Sequence, residues 1–104
     1  MIINNYGREA DVEVLISSYE SNGNMAVVLM EDGELFGTLT VNPYYPLPWG
    51  VAFVDINNMP GAEEFIREND LGHIVEGSYY QSGFCLYPKY IFKLDKLKNM
   101  RTII

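Results

Sequence analysis

Glu9-Ala-Asp-Val-Glu-Val-Leu-Ile-Ser-Ser-Tyr19 alternates, with Val12, Val14 and Ile16 on one side of the chain and Glu9, Asp11 and Glu13 on the other. A period of two predicts a β-strand with one wet face. Ser21-Asn22-Gly23-Asn24 follows, where Asn-Gly supplies the positive φ angles of a tight hairpin, and Met25-Ala-Val-Val-Leu-Met30 returns as a mostly buried strand. Asp32-Gly33 turns the chain again into Leu35-Phe-Gly-Thr-Leu-Thr-Val41, whose β-branched and aromatic residues suit a pleated surface. Three successive strands make a meander.

Further along, Asn42-Pro-Tyr-Tyr-Pro-Leu-Pro-Trp-Gly50 carries Pro43, Pro46 and Pro48 and cannot donate a regular ladder, which predicts an ordered loop. Val51–Ile56 reads as a fourth strand. The main helix is expected over about residues 60 to 69: Pro60 suits its first turn, Glu63 and Glu64 its positive end, Ala62, Phe65 and Ile66 share a face, and Gly72 closes it. Ile74–Tyr80, then Phe84–Tyr87 with Tyr90–Phe92, read as two more strands around a Gln81-Ser82-Gly83 turn, with Pro88 implying an edge or a bulge that bends or splits the last of them. Of Tyr79 and Tyr80, alternation buries one and exposes the other. Lys93 to Arg101 is read as a short helix with Leu94 and Leu97 inward, and residues 93–104 as that helix or a basic tail. The expected fold is α+β in a single domain, 1–104, with a largely antiparallel sheet of about five to six strands and one helix packed on it.

The 104 residues are 48% hydrophobic and 13% aromatic, enough for a packed core and unlike a disordered, collagen-like or coiled-coil chain. No apolar run approaches the roughly 18 residues of a membrane span, and Met1-Ile-Ile-Asn-Asn-Tyr6 lacks the basic start and apolar core of a secretory signal. Cys85 is the lone cysteine, so no internal disulfide or cysteine knuckle forms, and the expected compartment is the cytoplasm. The net charge is −7, divided unevenly. Residues 1–76 hold thirteen of the fourteen acids against Arg8 and Arg67 alone, whereas Lys89, Lys93, Lys96, Lys98 and Arg101 crowd the end. Most of such a surface repels polyanions, so direct nucleic-acid binding is disfavoured and the terminal bases read as a solvated tail.

Catalytic signatures are sparse. His73 and Cys85, with Asp55 or Asp70 as orienting acid, form the sole conceivable nucleophilic dyad, but His73 falls where a helix ends and Cys85 sits among Phe84, Leu86 and Tyr87 like a small buried hydrophobe. No zinc or calcium spacing and no phosphate-cradling glycine loop occurs, so neither metal nor cofactor is expected. The chain reads as a non-enzyme.

Two surfaces carry the functional reading. Glu9, Asp11 and Glu13 recur about 6.6 to 6.8 Å apart along one strand face, near the spacing of alternate phosphates, with Glu31, Asp32 and Glu34 at a neighbouring turn. Such a row either mimics DNA or solubilises a sheet. Tyr44, Tyr45 and Trp49, stiffened by prolines, form either a rigid binding edge or a lid on the core.

Thr38-Leu-Thr-Val-Asn42, Phe53-Val-Asp-Ile-Asn-Asn58 with Pro60-Gly61, and Ser82-Gly-Phe-Cys-Leu-Tyr-Pro-Lys-Tyr-Ile-Phe92 together resemble a domain-of-unknown-function family of short proteins carried on bacterial conjugative elements and phages. The resemblance implies no reaction. It implies a mobile-element context, in which small proteins disable host defence enzymes. With the acidic row, it gives the expectation of an anti-CRISPR-like inhibitor that fills the basic channel of an RNA-guided DNA nuclease. The alternative is an accessory or regulatory adaptor that binds a protein partner through the aromatic loop, as a monomer or a homodimer.

Overall fold

In the computed structural model, which describes residues 1–100, ten strands and one α-helix form an α+β architecture. The strands are β1 (Ile2–Asn5), β2 (Arg8–Asp11), β3 (Glu13–Ser18), β4 (Met25–Glu31), β5 (Glu34–Thr38), β6 (Thr40–Val41), β7 (Val51–Val54), β8 (Gly72–Ser82), β9 (Cys85–Phe92) and β10 (Lys98–Asn99), and helix α1 spans Ala62–Glu68. They make a β1-β2 hairpin and two four-stranded sheets, β10-β3-β4-β5 and β6-β7-β9-β8.

The strand count exceeds the expected five to six because two long strands are each split by a bend and two short strands, β1 and β10, add to them. The run Glu9–Tyr19 breaks at Val12, so that its first half pairs with β1 and its second with β4. Likewise Glu34–Val41 breaks at Leu39, whose N–H donates to the Val27 carbonyl (2.8 Å) while its own carbonyl accepts from Asp55 N–H (2.8 Å), joining the two large sheets. Burial alternates straight through the first bend, at Ala10, Val12, Val14 and Ile16, which hides it from a periodicity argument, whereas at the second the inward phase changes, with Leu35 exposed and Phe36 and Leu39 both turned to the core. Asp32 and Gly33, both at positive φ (51° and 81°), close the β4–β5 turn as expected, and Tyr6 and Gly7 close β1–β2 in the same way. Between β3 and β4 only Gly23 takes a positive φ, and the loop is longer than a two-residue turn.

Val12, Val14 and Ile16 are buried with Val27, Leu29 and Leu39, under Phe65 and Ile66 of α1, while Glu9, Asp11 and Glu13 are exposed, as the alternation predicts. Helix α1 is shorter than residues 60–69, and Gly61 at its start donates its N–H to Asn5 Oδ1 (3.1 Å), which ties the helix to the β1–β2 hairpin. Gly72 does not close it. Asp70 takes the left-handed position (φ 52°), with Leu71 N–H bonded to Ile66 O (3.0 Å) and Asp70 N–H to Arg67 O (3.2 Å). Gly72 instead opens β8, where a Cβ would come 2.4 Å from the Ile91 carbonyl oxygen.

Asp70 also receives Lys93 Nζ at 2.6 Å and Lys96 Nζ at 3.7 Å. The hydrogen bond and charge of Lys93 hold its carboxyl below the ordinary value. A depressed carboxyl pKa stabilises the fold above the unfolded-state value, and that contribution disappears as the pH falls through the folded-state value. Asp70→Asn, which tolerates the same φ, is therefore expected to unfold at lower urea than the parent near neutral pH. The two midpoints should converge at about pH 2, where the carboxyl is protonated in both states.

The C-terminal expectations need three corrections. Leu94–Lys96 is a single 3-10 turn, and Lys98–Asn99 pairs in parallel with Leu15–Ile16 of β3; Leu97 is buried but Leu94 is exposed, because the chain is drawn into a strand by its neighbour. Arg101 to Ile104 lie outside the described residues. Pro88 does not bend its own strand, which runs unbroken between β7 and β8; the bulge falls on β8, between Ile74 and Tyr79, around Gly77 at φ 76°. His73 lies in β8 instead of at the helix end, and Cys85 is half-buried beside a fully exposed Phe84.

Candidate binding surface

The loop Asn42–Gly50 is held by the β3–β4 turn. Asn24, only 3% exposed, donates through Nδ2 to Asn42 Oδ1 (3.0 Å) and the Tyr45 carbonyl (2.9 Å), and its Oδ1 accepts from Leu47 N–H (2.9 Å). Asn22 Nδ2 donates to the Pro43 carbonyl (3.0 Å). The asparagine side chains thus supply the backbone partners that the prolines cannot.

Thus braced, the loop divides its aromatics. Tyr45 is half-buried, its ring edge-on to Phe53 (6.5 Å) and Tyr80 (6.1 Å), whereas Tyr44 is 88% and Trp49 53% exposed. The lid expected of the loop is therefore Tyr45 alone. Sequence reasoning missed what lies beside it. On β9, Tyr90 and Phe92 enter the core, so Cys85, Tyr87, Lys89 and Ile91 point to the opposite face, where His73 and Tyr80 of β8 and Val51 and Phe53 of β7 join them by register. Tyr80 and Tyr87 stack at 6.1 Å, and Lys89 Nζ lies 5.7 Å from the centre of the fully buried Phe53 ring. This face reverses the usual polar-out alternation of a solvated antiparallel sheet. Burial, with Tyr80 and Tyr44 nearby, pushes the Tyr45 phenol up, and a hydrogen bond with Cys85, then burial, pushes Tyr87 up. The phenols are neutral donors at physiological pH.

The acidic residues meet a different outcome. Asp11 and Glu13 line one depression with Asp32 and Gly33, so the row does extend to the neighbouring turn. Three of the six acids are ion-paired within the chain: Asp11 to the Met1 ammonium (2.9 Å), Glu31 to Arg8 (3.0 Å) and Glu13 to Lys98 (3.8 Å). Among the described residues Glu9, Asp32 and Glu34 have no such partner. A partner's cations would have to displace the internal ones at half of the positions.

Two other concavities have their polar groups engaged by the fold. One, about 580 Å³, has Arg8 engaged by Glu31 and by the Phe36 ring (5.5 Å), and Asp55 by Asn58 N–H (3.0 Å) and Nδ2 (2.9 Å). Between α1 and β8, Tyr90 donates its hydroxyl to Glu63; burial first, then that bond, raises the phenol far above its ordinary value. His73 and Cys85 do not meet: His73 pairs with Ile91, six residues up β9 from Cys85, or about 20 Å. Among the described residues no group of His, Cys, Asp or Glu is arranged to hold a metal ion, and no helix is long and apolar enough to cross a membrane.

Neither the curated proteins nor the solved structures contain a match to this chain. A family model does match, over residues 13–102, which takes in the meander, the aromatic loop, α1 and the β8–β9 hairpin. The chain belongs to the family described as domain of unknown function DUF4313.

Proposed function

We propose that this chain is a non-enzymatic adaptor that binds a protein partner through the aromatic loop and the outward face of β7, β9 and β8. One observation carries the reading: Tyr44 and Trp49 are exposed on a loop that Asn22 and Asn24 pin to the body, so two large rings are presented in fixed positions. Rings held this way contribute contact area at little entropic cost on binding.

A second reading draws on the acidic row, whose Asp11, Glu13 and Asp32 share one depression. Here the chain is an anti-defence protein of a mobile element that lays this face into the basic channel of an RNA-guided DNA nuclease. The internal ion pairs of Asp11, Glu13 and Glu31 weigh against it.

Affinity capture with two variants separates the readings. The variant Tyr44→Ala with Trp49→Ala is expected to lose its partner by more than tenfold, while the triple reversal Glu9→Lys, Asp11→Lys, Glu13→Lys keeps it at low and high salt. If the triple reversal fails, salt strips the complex and the wild-type chain blocks cleavage by a purified RNA-guided nuclease, the second reading replaces the first.

A further inference from the structure

We infer that the free edge of β8 pairs, antiparallel, with the same edge of a second copy of this chain, joining two four-stranded sheets into one. The inference stands apart from the docking reading, because it uses the edge of the sheet and not its outward face. Hydrogen bonding shows which main-chain groups are available. Lys93 N–H donates to the Leu71 carbonyl (2.7 Å) on the β8 side, whereas Phe92 N–H donates to the Gly50 carbonyl (2.8 Å) on the β7 side. Main-chain groups alternate in direction along a strand, so Tyr87 of β9 faces β8, and Pro88, which has no N–H, faces away from it. Tyr80, opposite Tyr87, is then bonded inward. The N–H and C=O of Tyr79 and Gln81 turn to the free side of β8, the last strand of its sheet, where no described residue meets them.

This segment is complementary to itself. Gly77 (φ 76°) and Gly83 (φ 61°) bound it, leaving Ser78-Tyr79-Tyr80-Gln81-Ser82 centred on Tyr80. A two-fold axis at Tyr80 sets Tyr79 of each copy against Gln81 of the other, both pairs exchanging N–H···O bonds, and Ser78 against Ser82. The two Tyr80 residues meet at the axis as a close, non-hydrogen-bonded pair. Their rings leave room there, since each leans inward toward Phe53 (5.5 Å) and Tyr87 (6.1 Å).

Charge selects the occupant. From Gly77 to Pro88 there is no charged residue, in a chain of net charge −7. Two copies repel each other elsewhere, but not at this tip. A basic strand from another protein finds no carboxylate on the segment to hold it, and an acidic one finds no cation. Exposed edges are usually guarded by charge, proline, a bulge or brevity. The other ends of the two large sheets follow that rule: β6 and β10 are two residues long, and β5 carries Glu34 and a bulge at Phe36. Ser78–Ser82 has no such guard within it. Around it Tyr79 and Leu86 are half exposed and Phe84 fully so, and the two rings alone leave roughly 300 Å² of apolar surface, the size of patch that marks an interaction site.

A five-residue pairing, about 17 Å long, is small, so the dimer depends on concentration. Its two-fold axis is perpendicular to the joined sheet, which puts both outward aromatic faces on one side and lets a partner with two docking segments be held twice.

The test is sedimentation velocity of the full chain from about 10 μM to 1 mM, at low and high salt. A reversible step from one chain to two is expected within that range, strengthened by salt because screening relieves the repulsion between two acidic bodies. Gln81→Pro removes an edge donor and no bond to β9, so it should stay folded by circular dichroism and weaken dimerisation at least tenfold. Tyr79→Lys and Gln81→Glu should each weaken it at least threefold, since like charges meet across the axis. An equimolar mixture of those two variants should recover most of the loss, because the introduced lysine of one copy faces the introduced glutamate of the other. A chain still monomeric at the highest concentration, a dimer weakened by salt, a dimer undiminished in folded Gln81→Pro, or a mixture no stronger than its separate variants would each overturn the inference.

Discussion

Asn24→Ala is expected to lower the unfolding free energy by about 3 kcal/mol, and Tm by roughly 15 °C for a chain of this length. The side chain is buried and makes three hydrogen bonds, two as donor to Asn42 Oδ1 and the Tyr45 carbonyl and one as acceptor from Leu47 N–H. Truncation leaves all three partners without it, and each stranded polar group costs about 1–3 kcal/mol unless water reaches it. Asn24→Asp should be at least as severe. A carboxylate keeps the bond from Leu47 but turns an oxygen toward two acceptors, so contacts of 2.9 and 3.0 Å become repulsive. Thermal unfolding followed by circular dichroism checks the stability, and a Tm within about 3 °C of the parent would show that the loop is held by other means. Partner capture by Asn24→Ala at a temperature where it is folded should fall with loop order although no exposed ring has been altered.

That outcome bears on how much of the molecule was legible in its sequence. The strand Glu9–Tyr19, the Asp32-Gly33 turn and the helical face of Ala62, Phe65 and Ile66 are local patterns, and each appears in the fold with the predicted residues inward. The bend at Val12 was not legible, because that strand keeps its alternation while changing partners, and the bend at Leu39 was masked by apolar residues of both parities, Leu35 and Phe36, ahead of it. Asn24 carried no sequence signal beyond that of a turn residue; its partners lie 18 to 23 positions away. The aromatic face was hidden for the same reason. Tyr80 and Tyr87 are seven residues apart and became neighbours only through the register of β8 and β9.

The acidic row shows the converse. Its spacing and exposure were readable from alternation, but its electrostatic value was not, since the cations that pair with it come from Met1, Arg8 and Lys98 at distant positions. Exposed pairs of this kind are each worth little, about 0–1 kcal/mol, yet they reduce the field that a basic partner would meet. An aromatic face has no such internal competitor.

Phe53→Ala tests whether that face is one built unit. Phe53 is fully buried yet lies outside the main core; its neighbours are the rings of Tyr45 and Tyr80, at 6.5 and 5.5 Å, and the Lys89 ammonium at 5.7 Å. Removing a buried phenyl ring costs about 3–5 kcal/mol, through lost transfer energy and the cavity left behind, and here the cavity opens directly beneath the tyrosines. A chain of this size has roughly 5–15 kcal/mol of stability, so the variant should remain folded at 25 °C while its Tm falls by about 20 °C. Partner capture should fall more than tenfold, because Tyr45 and Tyr80 lose the floor that fixes their spacing. Phe53→Leu, which refills most of the volume, should cost less than about 1.5 kcal/mol and keep most of the affinity. The two variants separate support from contact, for Phe53 itself is inaccessible to any ligand. Equal affinity in parent and Phe53→Ala would mean that the rings hold their places without it, and the surface would then reduce to the exposed loop alone.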